Sequence, residues 1–222
     1  MAKKKVPSKI LNWRKAVPKA MYKATQKEAR DRFGSATPLF NYRWEHVQTV
    51  VKLALRLAEL AGADPEIVEA AAWLHDIEKD KGTAHPQKGA DFAREFLPKT
   101  DFPAEKIEPV AQTIEDHTGL WRKTPLDKLE SMVLWDADKL AKLGLTAAFH
   151  WLGMGFATGR ASTTAELIAR GRTADWQEKT VASMHTAPAR QAAQTRLSIY
   201  RQLWDTLEME LNASDLKGND EL

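Results

Sequence analysis

The chain has 222 residues, of which 43% are hydrophobic and 28% charged, and its formal net charge at pH 7 is +3. These values are typical of a globular protein built as one large domain, or as a domain with an appendage. Because the sequence contains no cysteine, it excludes disulfide frameworks, thiolate metal sites and thiol nucleophiles. No apolar run approaches the roughly 20 residues of a membrane-spanning helix, so we expect a cytoplasmic protein that does not enter a membrane.

Basic residues crowd the first part of the chain. Between residues 3 and 32, lysine and arginine outnumber the acidic residues several-fold. Segments of this kind can bind nucleic acid or an anionic surface, although a solvated arm or helix face is the commoner explanation. Trp13, Val17 and Met21 recur at helical spacing, which predicts an amphipathic helix docked on the rest of the protein. Nucleic-acid binding is therefore an alternative that we do not favour.

Most of the remaining chain repeats its apolar residues at helical spacing and shows no strand alternation of useful length. The first strong stripe predicts a helix over Trp44–Ala61, ended by Gly62. Asp64, a capping residue before Pro65, predicts the start of the next helix, which reaches Asp76. Further helices are predicted over Pro86–Phe96, Ala104–His117, Leu126–Leu145, Thr163–Ala169 and Arg190–Leu211, with a break at Gly153, Gly155 and Gly159.

These elements predict an all-α fold, a helical bundle with irregular crossings. We divide it into a basic N-terminal arm or helix over residues 1–40, a core over 41–150, and a helical C-terminal extension over 151–222 that packs on the core.

His75 and Asp76 stand side by side at the end of an apolar helical stretch, which is unusual for a core unless both hold one divalent cation. His46 lies near the start of the preceding helix. A short turn makes the two helices antiparallel, and a rise of about 1.5 Å per residue brings these ends to within one or two turns of each other. Other candidate ligands near helix ends or adjoining loops are His85, His117 and Asp138. Nitrogen and oxygen ligands without thiolate suit one or two ions of Mn, Fe, Mg, Co, Ni or Zn.

The order His, His-Asp, Asp on successive helices resembles the HD-domain superfamily of metal-dependent phosphohydrolases, and residues 43–145 carry the resemblance. Leu74–Lys79 looks like the family's Leu-His-Asp-Ile-Gly-Lys, with Glu78 in place of the glycine. Asp136-Ala137-Asp138-Lys139-Leu140 looks like its Ala-Asp-Lys/Arg-Leu element. The resemblance implies that residues 41–150 are an HD-like metal-binding core, and it favours Asp138 over Asp136 as the ligand.

The resemblance also bears on the number of metals. His85 and His117 stand where members with two metals bind the second ion, and there the aspartate of the His-Asp pair, here Asp76, bridges the two ions. In members with one metal, the matching positions can contact phosphate instead. The full implied ligand set is His46, His75, Asp76, His85, His117 and Asp138.

Such a site is expected to hydrolyse phosphate esters or anhydrides with a metal-activated water, because the cation neutralises the phosphate and lowers the pKa of the water. The expected substrate is a small phosphorylated molecule, a nucleotide or a related compound. Catalytic roles are predicted for Asp76, Lys79 and Asp116. Substrate binding is predicted for Arg43, Lys79, Arg122 and Lys139.

Three other interpretations use the same residues. A regulatory module could bind metal and nucleotide with little turnover, although the presence of all six candidate ligands favours an enzyme. A nucleic-acid-binding protein could rely on the basic arm. A two-metal oxygenase could use the same helical scaffold, since the ligands alone do not fix the redox role of a metal.

Overall fold

The computed structural model describes residues 10–119, 121, 124–160, 163–173 and 175–217. Within these ranges the chain is helical and has no strand, which confirms the predicted all-α class. The helices are α1 (Trp13–Phe33), α2 (Tyr42–Ala61), α3 (Pro65–Leu74), α4 (His85–Phe96), α5 (Ile107–Asp116), α6 (Leu129–Leu140), α7 (Leu145–Ala157), α8 (Thr164–Arg172), α9 (Trp176–Ala182) and α10 (Ala187–Leu211). Among the helices so described, none is long and apolar enough to cross a membrane.

The turn between α2 and α3 follows from local sequence. Gly62, with a φ of 78°, takes the left-handed conformation that ends α2. Asp64 then caps α3 by accepting hydrogen bonds from the backbone N–H groups of Glu66 and Ile67. Pro65 occupies the first helical position, where its missing N–H costs nothing. The two helices therefore run antiparallel.

The N-terminal helix α1 packs against this core. Trp13, Val17 and Met21 are all buried, which confirms the predicted docked face. The ring of Trp13 meets Phe102 edge to face at 5.0 Å between ring centroids. Lys27 on the polar side of α1 forms an ion pair with Asp80. Part of the basic segment is thus committed to intramolecular contacts.

The C-terminal helices meet the core through a buried carboxylate. Asp136 on α6 is fully buried and accepts hydrogen bonds from the backbone N–H of His185 (2.8 Å) and from the N–H and hydroxyl of Thr186 (both 2.7 Å). These bonds fix the segment that leads into α10. A second, smaller apolar cluster then joins Ala148 to Ile168, Tyr200 and Trp204 of the extension.

Two helix predictions are wrong in detail. The expected break at Gly153 and Gly155 does not occur, because both glycines lie inside α7. A Cβ on Gly153 would lie 3.0 Å from the ring of Phe40, so this glycine permits a close approach rather than a turn. The predicted helix over Leu126–Leu145 is shorter, since α6 spans only Leu129–Leu140. The proposed domain boundary at residue 150 falls inside α7, and the division stays a prediction.

Candidate metal centre

Four predicted ligands meet where α2, α3 and α6 converge. Single ligand atoms of His46, His75 and Asp76 lie within 4.8 Å of one another. His46 Nε2 is 3.9 Å from Asp76 Oδ2, and His75 Nε2 is 3.6 Å from the same oxygen. Asp138 Oδ1 lies 3.0 Å from His46 Nε2 and 3.9 Å from His75 Nε2. All four residues are buried.

These spacings suit a metal ion. Ligands about 2.1 Å from a common ion lie roughly 3 Å or slightly more from their neighbours. Within the described residues, the Nε2 atoms of His46 and His75 are buried and make no satisfactory hydrogen bond. Burying such atoms unpaired is costly. A cation held between them would satisfy both nitrogens and the two carboxylates, so the residues fit the metal that this donor set implies.

Three of the histidines are oriented by backbone carbonyls. His75 Nδ1 is 2.8 Å from the Ala72 carbonyl oxygen, and His85 Nδ1 is 2.6 Å from that of Gly82. His117 Nδ1 makes the same bond to the carbonyl of Ile114. Because a carbonyl oxygen only accepts, each Nδ1 must carry the proton. In the neutral imidazole, each Nε2 then presents a lone pair to the site, the arrangement typical of histidine ligands.

Burial keeps the two inner histidines neutral. It lowers the pKa of His46 to about 4 and that of His75 to about 3. Burial alone would raise the pKa of Asp76, but Arg43 and the surrounding histidines outweigh it and hold that pKa well below its usual range. Lys139 and Lys142 do the same for Asp138. Near neutral pH the site therefore offers neutral imidazoles and ionised carboxylates.

The other oxygen of Asp76 faces a second group of ligands. Asp76 Oδ1 lies 3.4 Å from His85 Nε2 and 3.9 Å from His117 Nε2. The two imidazole nitrogens are 3.2 Å apart. One ligand atom from each of these three residues falls within a common 4.8 Å. Asp76 thus stands between two ligand groups, as a bridging carboxylate would.

Four cationic side chains surround the carboxylates. Arg43 binds Asp76 Oδ2 and also Glu28, at 3.0 Å. Lys79 Nζ lies 2.9 Å from Asp76 Oδ1. On the other carboxylate, Lys142 Nζ is 2.6 Å from Asp138 Oδ1, and Lys139 Nζ is 2.9 Å from Asp138 Oδ2.

These cations differ in access. Lys139 is buried and also donates a hydrogen bond to the carbonyl of Gly119, so its present contacts orient Asp138. Lys79 and Lys142 are about a third exposed, with 31% and 28% of the side chain accessible. They are better placed than Lys139 to meet a phosphate.

A cavity of about 490 Å³ adjoins the centre. Tyr42 and Lys142 link the two, because the Tyr42 ring stacks on His46 with 5.8 Å between centroids and Lys142 contacts Asp138. The cations that line the cavity are Arg32, Lys142, Arg160 and Arg170. The aromatic residues that line it are Tyr42, His150, Trp151, Trp176 and Tyr200. Within the part of the chain described, no carboxylate lines this cavity.

The remaining predicted residues lie apart from these ligand groups or outside the description. Asp116 accepts hydrogen bonds from Gln112 within α5 (3.1 Å) and from Ser131 (2.7 Å), and the second bond joins α5 to α6. Its catalytic role stays a prediction. Arg122 lies outside the described residues. Sequence reasoning missed Tyr42 and Lys142, although Tyr42 precedes the predicted ligand helix and Lys142 lies one turn after Asp138.

Comparison with known proteins agrees with this geometry. The HD domain family model matches residues 43–143. A predicted HD superfamily hydrolase from an uncultured Thermotogales bacterium is 21% identical, with a TM-score of 0.60 over 90% of this chain and 94% of that one. An HD-superfamily hydrolase from Bacillus thuringiensis is 22% identical, with a TM-score of 0.61 over 90% and 98%. YpgQ of Bacillus subtilis, solved in complex with ADP, is 21% identical, with a TM-score of 0.60 over 87% and 97%. No curated protein matches the chain significantly.

At these identities the solved structures establish the fold, and the family model spans all six candidate ligands. Residues 43–143 form an HD domain whose His and Asp side chains converge on one centre, and the protein is a metal-dependent hydrolase. These residues, 43–143, belong to the HD-domain superfamily.

Proposed function

We propose that this protein hydrolyses a phosphate ester or anhydride bond of a nucleotide, using a divalent ion held by His46, His75, Asp76 and Asp138. The observation that carries the proposal is the continuity of the ligand group with a cationic and aromatic cavity through Tyr42 and Lys142. When bound, the ion neutralises phosphate charge and makes water a competent nucleophile near neutral pH.

The residues around the ligands have different roles. Asp76 keeps its negative charge because Arg43 contacts it inside the protein. Lys139 fixes the carboxylate of Asp138 from the opposite side. Lys79 and Lys142 are partly exposed and present ammonium groups beside the two carboxylates. We assign them to holding the phosphoryl oxygens, where positive charge offsets the negative charge that develops during hydrolysis.

The composition of the cavity supports a nucleotide as the substrate. Its volume lies within the range of about 300–1,000 Å³ that is usual for small-molecule sites. Arg170 lies over the ring of Trp151 at 4.3 Å, so a flat apolar face and a guanidinium stand together. Aromatic faces suit a nucleobase and arginines suit further phosphates. The ADP complex of the similar YpgQ points in the same direction.

The test is a panel of nucleoside mono-, di- and triphosphates, with a simple aryl phosphate for comparison, incubated with metal-loaded protein. We expect nucleotide turnover that depends on added Mn²⁺ and disappears in His75→Ala. Lys81→Ala serves as the matched control, because Lys81 is exposed and pairs only with Asp80 in the described contacts. Tight nucleotide binding without turnover under any metal would contradict the proposal and support the regulatory module.

A further inference from the structure

We propose that the Lys79 ammonium and a second divalent ion compete for one position, between Asp76 Oδ1 and His85 Nε2. The protein then holds one metal firmly and accepts a second only when Lys79 moves away. This inference rests on the proposed function in one point only, that a divalent ion binds in the first ligand group, formed by His46, His75, Asp76 and Asp138. The number of bound ions can be measured without following hydrolysis.

Lys79 occupies the second ligand group in the structure. Its Nζ lies 2.9 Å from Asp76 Oδ1 and 3.0 Å from His85 Nε2. These are two of the three atoms that a second ion would use, the third being His117 Nε2. An ion about 2.1 Å from these two atoms, on the side where the ammonium lies, would be much closer to Nζ than two cations can approach. Both cations cannot occupy this position together.

The position requires a positive group. The Nδ1 protons of His85 and His117 are committed to backbone carbonyls, so in the neutral imidazoles both Nε2 atoms carry lone pairs. These lone pairs face each other across 3.2 Å, beside a carboxylate oxygen. Three electron-rich atoms at this spacing repel one another unless a cation lies among them. Lys79 supplies that cation when no metal does.

The first ligand group differs in one respect. Arg43 and Lys142 contact its carboxylates, but in the described residues neither His46 Nε2 nor His75 Nε2 makes a satisfactory hydrogen bond. The Nε2 lone pair of His75, whose Nδ1 proton is committed to the Ala72 carbonyl, remains available to an ion. In the second group the lone pair of His85 is already bonded to Lys79. The second ion must therefore displace a hydrogen-bonded ammonium, which weakens its binding.

Displacement is feasible because Lys79 stands at the edge of the site. Its side chain is 31% exposed, whereas that of Asp76 is 1% exposed. The ammonium can swing into solvent without opening the core, and it then lies close enough to meet a bound phosphate. The number of bound metals and the contact between Lys79 and substrate are thus coupled.

The experiment is a Mn²⁺ titration of metal-stripped protein, followed by calorimetry and by the exchange-coupled electron paramagnetic resonance signal of an Mn²⁺ pair. We expect two steps in the wild type, the second at least tenfold weaker than the first. Lys79→Met should strengthen the second step by about tenfold and the first step much less. His117→Ala should remove the second step and the pair signal in both backgrounds.

Lys81→Met is the matched control, because it removes a neighbouring exposed lysine whose described contact is with Asp80. Circular dichroism establishes that each variant is folded. The inference is overturned if Lys79→Met binds the second ion no better than Lys81→Met does. It is equally overturned if Lys79→Met holds a single ion at saturating Mn²⁺. A wild-type protein that binds Mn²⁺ in the two expected steps but hydrolyses no nucleotide would instead count against the proposed function alone.

Discussion

Asp136 and Asp138 lie on the same helix, yet their carboxylates serve opposite sides of α6. Asp138 Oδ1 lies 3.0 Å from His46 Nε2. Asp136 instead accepts hydrogen bonds from His185 and Thr186 at the start of the C-terminal helices. Positions two apart on a helix differ by about 200° in direction, so one turn of α6 both faces the candidate metal centre and anchors the extension.

This division predicts contrasting effects of two nearly isosteric substitutions. Asp138→Asn should lose most of the bound metal and all hydrolysis while the protein stays folded. Asp136→Asn should keep metal in the folded molecules but lower the free energy of unfolding by about 2 kcal/mol, because it weakens charge-assisted hydrogen bonds to buried donors. Elemental analysis and urea unfolding separate the two. Metal loss in Asp136→Asn with unchanged stability would show that the two aspartates have been assigned the wrong way round.

The stability of the metal-free protein should fall as the pH drops below about 6.5. The pKa values of His46 and His75 are lowered from 6.5 to about 4 and about 3. Between these pH values and pH 6.5, the unfolded chain therefore binds more protons than the folded protein does. Their contribution is complete above pH 6.5 and is lost as the pH falls towards 4 and 3. At about 1.4 kcal/mol per pKa unit, His46 alone accounts for about 3 kcal/mol. The lowered pKa values of Asp76 and Asp138 extend the loss to still lower pH.

Urea unfolding in the presence of chelator, from pH 7 to pH 4, measures this dependence. His46→Asn removes one of the titrating groups, so its unfolding free energy should vary less over the same range. A wild-type stability that is flat between pH 7 and pH 5 would show that these histidines take up protons as readily in the folded protein as in the unfolded chain.

Much of the metal centre could be predicted because the sequence carries it locally. His75 and Asp76 are adjacent, and the turn at Gly62 and Asp64 sets α2 against α3 by capping alone. The choice between Asp136 and Asp138 could not be made from spacing, since it depends on how α6 is rotated against α2.

Other features depend on packing between distant helices. In the sequence, Gly153 looks like a residue that breaks a helix. In the structure it lies inside α7 and leaves room for the nearby ring of Phe40. Likewise, Tyr42 and Lys142 became candidates only when the structure joined the ends of α2 and α6 to a cavity that α7, α8 and α10 complete. How these helices cross and pack against one another cannot be read from a single sequence.

The cavity cations should bind substrate without taking part in bond cleavage. Arg160→Gln and Arg170→Gln should each raise KM for a nucleotide by about tenfold, since a charged hydrogen bond to phosphate contributes about 1.5–3 kcal/mol. Neither kcat nor metal content should change much, because uniform binding is lost. Arg201→Gln is the control, since Arg201 is exposed and pairs with Glu178. Unchanged KM in both cavity variants would place the nucleotide elsewhere.

The last prediction concerns the packing of the extension that closes this cavity. Gly171 on α8 lies against Trp204 so closely that an added Cβ would stand 2.2 Å from Cε2 of the indole. Trp204 is 2% exposed and forms the smaller apolar cluster with Tyr200, so the ring cannot withdraw easily. Gly171→Ala should therefore lower the unfolding free energy by about 1–3 kcal/mol. Gly155→Ala on α7 is the matched control: its Cβ meets nothing nearer than 3.9 Å, and it should gain up to about 1 kcal/mol from helix propensity. Thermal unfolding of both variants decides the matter, and equal stability of the two would mean that Trp204 is free to move.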